Sequence, residues 1–320
     1  MSLIIQWLQQ AFPPAPTWHP TDIPDLSGKV ALVTGGNAGI GREIVKELLR
    51  KNARVYLAAR SPPKASAAIE SLATETGRTA EFLQLDLSDL GPVRQAALEF
   101  KCRESHIDIL YLNAGLMLPP VEDLTAQGYD LTFGTNVIGH FLFLQLLYPL
   151  LVAAATPGPA RIVWTASFAH YQVPGDLLNY ATFTDGPERR NVRRGMFTIY
   201  AQNKLAQVAL SSYLAKRAAE AGDNVASIAV DPGNIRSEIF RGDKPWYLLL
   251  WYERFIMYPT AYGAITPLYA GTAPEALAYN GKYLRPWARP GDPNRAALDS
   301  REQEKLWGWL EVQLENYLAV

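Results

Sequence analysis

Short apolar runs alternate along the chain with segments that repeat apolar residues at helical spacing, starting at Lys29. The predicted strands are the mostly apolar runs at 30–33, 55–58, 82–87, 107–112, 161–165 and 225–230. The predicted helices lie between them, at about 40–49, 63–75, 93–103, 124–154 and 197–219. Continuous apolar strands that alternate with helices are typical of a parallel sheet covered on both sides. The pattern predicts an α/β fold with a doubly wound parallel sheet.

Residues 1–25 precede this alternation and are predicted to form a short amphipathic helix followed by an extended, proline-rich arm. A helix docked on the domain surface is the favoured interpretation. A membrane-surface anchor is the alternative, weakened because no Lys or Arg precedes Lys29. The same lack of basic residues argues against a secretory signal or a transit peptide. Residues 26–320 are predicted to be one domain that ends in a C-terminal helix.

Composition and charge narrow the class of protein. The chain has 320 residues, of which 48% are hydrophobic and 19% charged, an ordinary globular balance. Its formal net charge of -1 provides no basic field, so we expect no nucleic-acid partner. The single cysteine, Cys102, excludes an intramolecular disulfide, and the four histidines show no metal-ligand spacing, so no metal is expected. A reducing, cytoplasmic location fits this cysteine usage.

A glycine-rich turn joins the first predicted strand to the first helix. Its sequence, from Thr34 to Gly41, is Thr-Gly-Gly-Asn-Ala-Gly-Ile-Gly. Glycines let such a turn close and let backbone N–H groups approach a pyrophosphate, and the helix N-terminus adds positive potential. Because the turn lies between a strand and a helix, it favours a dinucleotide site and a Rossmann-type fold over a tight turn alone.

The end of the second predicted strand bears on the choice of cofactor. Sheets that bind NAD usually carry Asp or Glu there, to hold the ribose 2′-OH. This chain has Ala59 followed by Arg60. A guanidinium without an opposing carboxylate suits a 2′-phosphate, so these residues favour NADP(H) over NAD(H). An exposed surface arginine is the alternative.

Tyr200 and Lys204 lie four residues apart in a predicted helix, on one face and one turn apart. A tyrosine is a poor acid–base catalyst at neutral pH because its reference pKa is about 10, and a nearby cation lowers that pKa. Taken alone, such a pair is most often a surface pair. The accompanying motifs favour a catalytic role instead.

The order and spacing of these motifs resemble the short-chain dehydrogenase/reductase family over about residues 26–286. The matching pieces are Thr34 to Gly41, Asp86-Leu87, Leu112-Asn113-Ala114-Gly115, Asn136, Ser167, Tyr200 with Lys204, and Pro232-Gly233. Residues 160–170, and the long gap before Tyr200, look most like the retinol-dehydrogenase-like branch.

The resemblance implies a catalytic set of Asn136, Ser167, Tyr200 and Lys204. Tyr200 would be the general acid when a carbonyl is reduced and the base in the reverse reaction. Ser167 would hydrogen-bond the substrate oxygen. Lys204 would hold the nicotinamide ribose and lower the pKa of Tyr200, and Asn136 would hold Lys204 and a water relay.

The resemblance also implies NADP(H) as the cofactor, held at the strand ends and in the glycine-rich turn. The implied cofactor residues are Gly35, Asn37, Ala38, Gly39, Ile40, Gly41, Arg60, Asp86, Leu87, Asn113, Ala114, Gly115, Tyr200, Lys204, Pro232, Gly233, Ile235 and Ser237. The chain departs from the family pattern at Leu112, where Asn is common, and at Asp231, where this branch often has His. We assign Asp231 no role.

Two segments interrupt the alternation of strands and helices. Residues 172–195 are polar and include four arginines, which favours a solvated surface loop over an anion or partner site. Residues 246–258 contain six aromatic residues and follow the last long strand, where ligands meet such sheets. We predict a substrate lid at about 234–270, with Trp246 and Trp251 against a bulky apolar substrate. An oligomer contact or a membrane-facing patch is the alternative. The four arginines of the first segment are Arg189, Arg190, Arg193 and Arg194.

The function expected from these features is an NADP(H)-dependent oxidoreductase that moves hydride between nicotinamide and a carbonyl or alcohol. A bulky apolar or aromatic aldehyde or ketone is the expected substrate. A non-catalytic dinucleotide-sensing protein, or a lyase or epimerase on the same fold, is the alternative. Family analogy suggests a homodimer or homotetramer through the long helices near Asn136 and Tyr200.

Overall fold

The computed structural model describes residues 3–154, 158–173, 175, 178–193, 198–236 and 257–318. The strands are β1 (Val30–Thr34), β2 (Arg54–Ala59), β3 (Glu81–Gln84), β4 (Ile109–Leu112), β5 (Ala160–Thr165), β6 (Val225–Val230), β7 (Tyr283–Arg285) and β8 (Arg289–Gly291). They form one sheet in the order β3-β2-β1-β4-β5-β6-β7-β8. The strand order reverses between β1 and β4, which creates the crevice where doubly wound sheets bind ligands. The predicted Rossmann-type fold is confirmed.

Every neighbouring pair from β3 to β7 is parallel, whereas β7 and β8 form an antiparallel hairpin. Along β1, Leu32 faces one apolar layer and Val33 faces the other. This alternation follows from the two-residue period of a strand, and it explains why both faces of the central strands are apolar. The sequence pattern did not predict the hairpin, since its two strands have only three residues each.

The helices cover both faces of this sheet. Their bounds are α1 (Leu3–Ala11), α2 (Gly39–Arg50), α3 (Pro62–Thr76), α4 (Leu90–Arg103), α5 (Leu131–Ala153), α6 (Pro187–Arg193), α7 (Thr198–Ala221), α8 (Thr260–Thr272) and α9 (Ser300–Leu318). Helices α2, α3 and α8 pack on one face, and α4, α5, α7 and α9 pack on the other. Among the described residues, α5 alone is long and apolar enough to cross a membrane, and 67% of its most apolar stretch is buried in the domain.

Helix α5 begins at Leu131 rather than near Leu124, as the apolar spacing had predicted. Leu124 instead pairs with Asp130 in an antiparallel bridge, and Gly128 between them has a φ of 81°. The Asp130 carboxylate then accepts the backbone N–H of Thr132 at 2.9 Å and caps the helix. Residues 124–130 therefore belong to a turn, and the predicted boundary was wrong.

The arginine-rich segment contains helix α6 and is held by a buried ion pair. Arg189 is only 1% exposed and donates to Asp130 Oδ2 at 2.9 Å and to the backbone oxygen of Asp123 at 2.8 Å. Arg190 is exposed and pairs with Asp185 at 2.9 Å. Arg189 therefore has a structural role, which the prediction of a solvated loop had not included.

Helix α9 lies on α5 and α7, the two long helices on which a contact between copies was expected. Its Trp307 packs edge-on against Phe141 with ring centroids 4.8 Å apart, and against Tyr213 at 5.3 Å. The chain's own C-terminal helix thus covers these faces. The homo-oligomer stays a prediction, and α9 would have to take part in any contact made there.

Helix α8 falls inside the range predicted for the lid. It is buried and packs against α2 and β5, so residues 260–270 belong to the body of the domain. The predicted lid therefore does not extend over them. Ser237, Trp246 and Trp251 lie outside the described residues.

Candidate active site

A cavity of about 770 Å³ opens at the carboxyl ends of the central parallel strands. Arg60 and Asp86, which follow β2 and β3, line one part of it. Ser167 and Tyr200, which follow β5 and begin α7, line another part. The glycine-rich turn between β1 and α2 lies between these parts in the strand order. The cavity therefore occupies the crevice that the reversal of strand order creates.

Most of the residues proposed from the sequence meet on the wall of this cavity. Of the implied cofactor residues, Gly41 does not line it, and Ser237 lies outside the described residues. The ones that do line it are Gly35, Asn37, Ala38, Gly39, Ile40, Arg60, Asp86, Leu87, Asn113, Ala114, Gly115, Tyr200, Lys204, Pro232, Gly233 and Ile235.

Gly41 shapes the turn from beneath rather than lining the cavity. A Cβ atom at this position would lie 2.3 Å from the backbone oxygen of Gly35. Gly35 itself has a φ of 67°, and a Cβ there would lie 3.0 Å from Ala114 Cα. The two glycines thus let α2 start close beneath the turn and let the turn approach the end of β4. The predicted direct role of Gly41 is corrected to one of packing.

The end of β4 is fastened to the end of β1 by side-chain hydrogen bonds. Thr34 Oγ1 accepts the backbone N–H groups of Asn113 and Ala114, both at 2.9 Å. Asn113 Nδ2 donates to the backbone oxygen of Thr34 at 3.0 Å. The amide of Asn113 is therefore used within the protein, and it fixes the position of the cavity wall from 113 to 115.

The cavity contains polar groups that suit an elongated, anionic ligand. The side-chain atoms Thr135 Oγ1, Thr165 Oγ1 and Asn234 Nδ2 are buried and have no hydrogen-bond partner within the described parts of the chain. Buried polar atoms normally have partners, so a bound ligand would supply what is missing here. The N-terminus of α2 and the Arg60 guanidinium favour phosphate groups. These residues fit a nicotinamide dinucleotide.

Ser167 and Tyr200 lie beside each other on the cavity wall, close enough for the Ser167 hydroxyl to affect the phenol. Ser167 lies two residues after the end of β5, and its Oγ accepts the backbone N–H of Ala169 at 3.3 Å. Loss of solvent around the phenol raises the pKa of Tyr200 well above its usual value, and the neighbouring Ser167 hydroxyl opposes that rise. The pKa of Tyr200 is therefore raised, whereas the nearby cation of Lys204 alone would lower it.

Lys204 is buried one helical turn after Tyr200. Its Nζ donates to the backbone oxygen of Thr165 at 2.7 Å and to Gln207 Oε1 at 2.9 Å. The same Nζ lies 5.4 Å from the centre of the Tyr200 ring. Burial lowers the pKa of Lys204 to about 7, because the protein interior disfavours the ammonium.

Asn136 does not hold Lys204, contrary to the expectation from the family pattern. Its side chain donates to the backbone oxygen of Leu116 at 2.9 Å and accepts that residue's N–H at 3.0 Å. Its backbone oxygen accepts from Gln207 Nε2 at 3.0 Å. Because Gln207 also binds Lys204, the link from Asn136 to the lysine runs through a glutamine side chain. Asn136 is fully buried and does not line the cavity.

Asp231, to which the sequence assigned no role, lies buried behind the catalytic pair. Its Oδ1 accepts the N–H of Gly233 at 2.9 Å, and the hydroxyl of Tyr283 lies 3.4 Å from its Oδ2. Burial raises the pKa of Asp231 to about 6, and the nearby Lys204 opposes the rise. Asp231 in turn raises the pKa of both Lys204 and Tyr200.

Sequence reasoning also missed several residues of the cavity wall. Ser61 and Lys64 directly follow Arg60, so their place near the same ligand could have been foreseen. Most of the others adjoin motif residues that the sequence had singled out, whereas Trp7 and Gln172 come from segments without a motif. The full set of these others is Trp7, Ala58, Leu85, Ser88, Leu116, Met117, Thr135, Thr165, Ala166, Phe168, Ala169, Gln172 and Asn234.

Comparisons with known proteins agree with this geometry. A family model described as short chain dehydrogenase matches residues 29–182. A short-chain dehydrogenase/reductase of Armillaria gallica is 47% identical over 311 residues, covering 97% of this chain and 98% of the relative. A match of this extent spans the glycine-rich turn, the Ser167–Tyr200 pair and the C-terminal helix.

Solved structures show the same fold. A crystal structure of an uncharacterised protein from Mycobacterium paratuberculosis is 28% identical with a TM-score of 0.69, covering 93% of this chain and 97% of that one. The Pseudomonas aeruginosa RhlG/NADP active-site complex is 25% identical with a TM-score of 0.64, covering 82% of this chain and 95% of that one. From its sequence relatives, its fold and the arrangement of its site, the chain belongs to the short-chain dehydrogenase/reductase family of oxidoreductases.

Proposed function

We propose that this oxidoreductase uses NADP(H) and reduces bulky apolar or aromatic aldehydes and ketones, in a cytoplasmic setting. The observation that carries the proposal is the placing of Ser167, Tyr200 and the buried Lys204 side by side on one cavity wall. A hydroxyl, a phenol and a cation together can polarise a carbonyl oxygen and give it a proton.

Each of these three side chains has a distinct task in the proposed reduction. When bound, the nicotinamide supplies the hydride to the carbonyl carbon. Ser167 donates a hydrogen bond to the substrate oxygen, while its own oxygen is held by the N–H of Ala169. Tyr200 transfers its phenol proton to that oxygen, which completes the alcohol. Lys204 stabilises the phenolate that remains and holds the nicotinamide ribose.

The protonation state of the phenol determines which step Tyr200 can assist at neutral pH. Because burial raises the pKa of Tyr200, the phenol keeps its proton at neutral pH. A protonated phenol is the form that reduction needs, whereas oxidation of an alcohol needs the phenolate. At neutral pH the phenol therefore holds the proton that the proposed reduction requires.

The preference for NADP(H) is supported by the residues that follow β2. Ala59 stands where a carboxylate would hold a ribose 2′-OH, and Arg60, Ser61 and Lys64 line the same part of the cavity. Two cations and a hydroxyl suit a phosphate. The similar RhlG protein was crystallised with NADP, which agrees with this proposal.

The preference for apolar substrates is supported by the wall near Ser167. Leu116, Met117 and Phe168 line the cavity together with the catalytic pair. An apolar wall gains free energy when it covers an apolar substrate, and it excludes water from the reacting atoms. A small hydrophilic carbonyl would gain nothing from these contacts.

A screen of cofactor consumption tests the proposed function. NADPH and NADH oxidation are followed over aldehydes, ketones and quinones, with NADP⁺ and alcohols in parallel. We expect faster oxidation of NADPH with bulky apolar carbonyls. Tight binding of a dinucleotide without turnover on any compound would instead identify a sensing protein, and product formation without net cofactor consumption would identify a lyase or epimerase.

Replacing Gln207 with leucine is expected to lower kcat by about tenfold, because Lys204 loses one of its two acceptors and its link to Asn136. The matched control is Gln202→Leu, a buried glutamine on the same helix that binds Asn179 and Thr182 instead. We expect it to keep normal kcat. The measurements are kcat at several pH values and thermal melting for both variants. An equal loss of kcat in the two variants would indicate damage to α7 rather than an effect on Lys204.

Replacing Asp231 with asparagine is expected to move the alkaline limb of the kcat/KM profile for reduction to lower pH, by about one pH unit. The carboxylate raises the pKa of both Lys204 and Tyr200, so without it both lose their protons at lower pH. Since burial raises the pKa of Asp231 only to about 6, the group is ionised where this limb lies.

The control for Asp231 is Asp223→Asn, which alters a carboxylate that accepts from Tyr148 away from the cavity. Its pH profile should match that of the unaltered protein. A profile of Asp231→Asn that stays in place, or that moves to higher pH, would contradict the assignment of Asp231 as the charge behind the catalytic pair.

A further inference from the structure

Helix α1 contributes a side chain to the wall of the catalytic cavity. Trp7 lines the same cavity as Ser167, Phe168 and Tyr200, although it lies far from them in the sequence. The helix packs against the turn Phe168–Gln172, which directly follows Ser167. Trp7 therefore lies at the catalytic part of the cavity, away from the part lined by Arg60.

Hydrogen bonds hold α1 in this position. Gln10 is 6% exposed, and its Oε1 lies 3.2 Å from the hydroxyl of Tyr283, the residue that also approaches Asp231. The backbone oxygen of Gln9 accepts from Arg289 at 3.3 Å. The C-terminal end of α1 is thus tied to the β7–β8 hairpin, beside the catalytic residues.

The Trp7 indole is not part of the packed core. It is half-buried, and its described ring contact is an edge-on one with Phe12 at 6.1 Å between centroids. Phe12 is itself 49% exposed. An indole that is half-open, faces a cavity and is carried on a fastened helix can cover an apolar ligand without a large cost in entropy.

We propose that Trp7 is a specificity-determining residue, and that its indole packs against the apolar part of the carbonyl substrate beside Ser167 and Tyr200. This inference rests on the proposed function. It assigns to the N-terminal helix a part of the substrate site, which explains why a segment outside the sheet is fastened to the catalytic end of the domain.

Trp7→Ala, Trp7→Phe and the control Leu8→Ala test the inference. Leu8 is the next residue on the same helix, is 45% exposed and does not line the cavity. Two measurements are made on each variant: KM for 2-naphthaldehyde and for propanal with NADPH, and the dissociation constant of 2-naphthaldehyde from the protein–NADP⁺ complex, in which no reduction can occur. The dissociation constant of NADPH is measured alongside.

We expect Trp7→Ala to raise both constants for 2-naphthaldehyde by about tenfold, with little change for propanal or NADPH. Trp7→Phe should lie in between, and Leu8→Ala should resemble the unaltered protein. Weaker binding of the aldehyde by Trp7→Ala, in a protein that reduces no carbonyl, would reject the proposed function and still support the assignment of Trp7.

Three results would overturn the inference. The first is unchanged binding of 2-naphthaldehyde in Trp7→Ala, or no binding by the unaltered protein. The second is an equal loss in Leu8→Ala, which would mean that the integrity of α1 matters rather than the indole. The third is an unchanged KM of Trp7→Ala for 2-naphthaldehyde, combined with weaker co-sedimentation of this variant with anionic phospholipid vesicles. That result would make α1 a membrane-surface anchor.

Discussion

Replacing Tyr200 with phenylalanine is expected to lower kcat for carbonyl reduction by ~10²-fold or more, while the dissociation constant of NADPH changes little. The substitution removes the hydroxyl that lies beside Ser167 and that would give the proton to the substrate oxygen. It keeps the ring, so the cavity wall and the ring face near Lys204 stay in place. The loss should therefore appear in kcat rather than in cofactor binding.

The matched control is Tyr148→Phe, which removes a phenol that donates to Asp223 at 2.9 Å on α5, outside the cavity. Its kcat should be close to that of the unaltered protein. Steady-state kinetics with an accepted carbonyl, together with NADPH titration by fluorescence, separate the two effects. Near-normal turnover by Tyr200→Phe would show that the proton comes from another group, and the proposed mechanism would fail.

The central strands could be predicted from the sequence because both of their faces are buried. The run 225–230 was predicted as a strand, and β6 has these same bounds with every residue buried. Burial on both faces favours a mostly apolar run, and such a run is visible without knowledge of its partners. The local pattern and the tertiary environment agree in these strands, which is why the six strands β1 to β6 were predicted.

Helix α8 could not be predicted in the same way, because close packing in the fold requires residues there that weaken a helical sequence pattern. The helix contains Pro267 and the glycines Gly263 and Gly271. A Cβ on Gly271 would lie 2.0 Å from the Tyr111 hydroxyl, and one on Gly263 would lie 2.8 Å from Ile40. The glycines are required by close packing on β4 and α2. Only the assembled fold makes that requirement visible.

The residues of the candidate site also fall into two groups: those that the sequence could predict, and those whose place depends on the folded structure. Residues at strand ends could be foreseen because parallel strands bring their carboxyl ends to one edge. The role of Gln207 could not, since it depends on a contact with Asn136, 71 positions away. Trp7 is a similar case, as its place in the cavity follows from how α1 docks. Lys64 is different: it lies in the first turn of α3, and its nearness to Arg60 was available from the sequence.

Replacing Arg60 with aspartate is expected to lower the preference for NADPH over NADH by ~1–3 kcal/mol, or about five- to 150-fold in the ratio of kcat/KM values. Arg60 is exposed at the part of the cavity that Ser61 and Lys64 also line. An aspartate there removes the guanidinium that would hold the 2′-phosphate and adds a charge that repels it. The same carboxylate can accept a bond from the 2′-OH of NADH, so the efficiency with NADH should rise or hold.

The control for Arg60 is Arg78→Asp, an equal change of charge at an exposed arginine that does not line the cavity. If the preference comes from a contact with Arg60, only the Arg60 variant loses it. The unaltered protein should also lose part of its NADPH advantage as salt is raised, because an exposed ion pair is screened, whereas Arg60→Asp should not. A ratio that stays the same in Arg60→Asp would mean that Arg60 does not reach the phosphate. The choice of cofactor would then have to come from Lys64, and Lys64→Asp would show the loss instead.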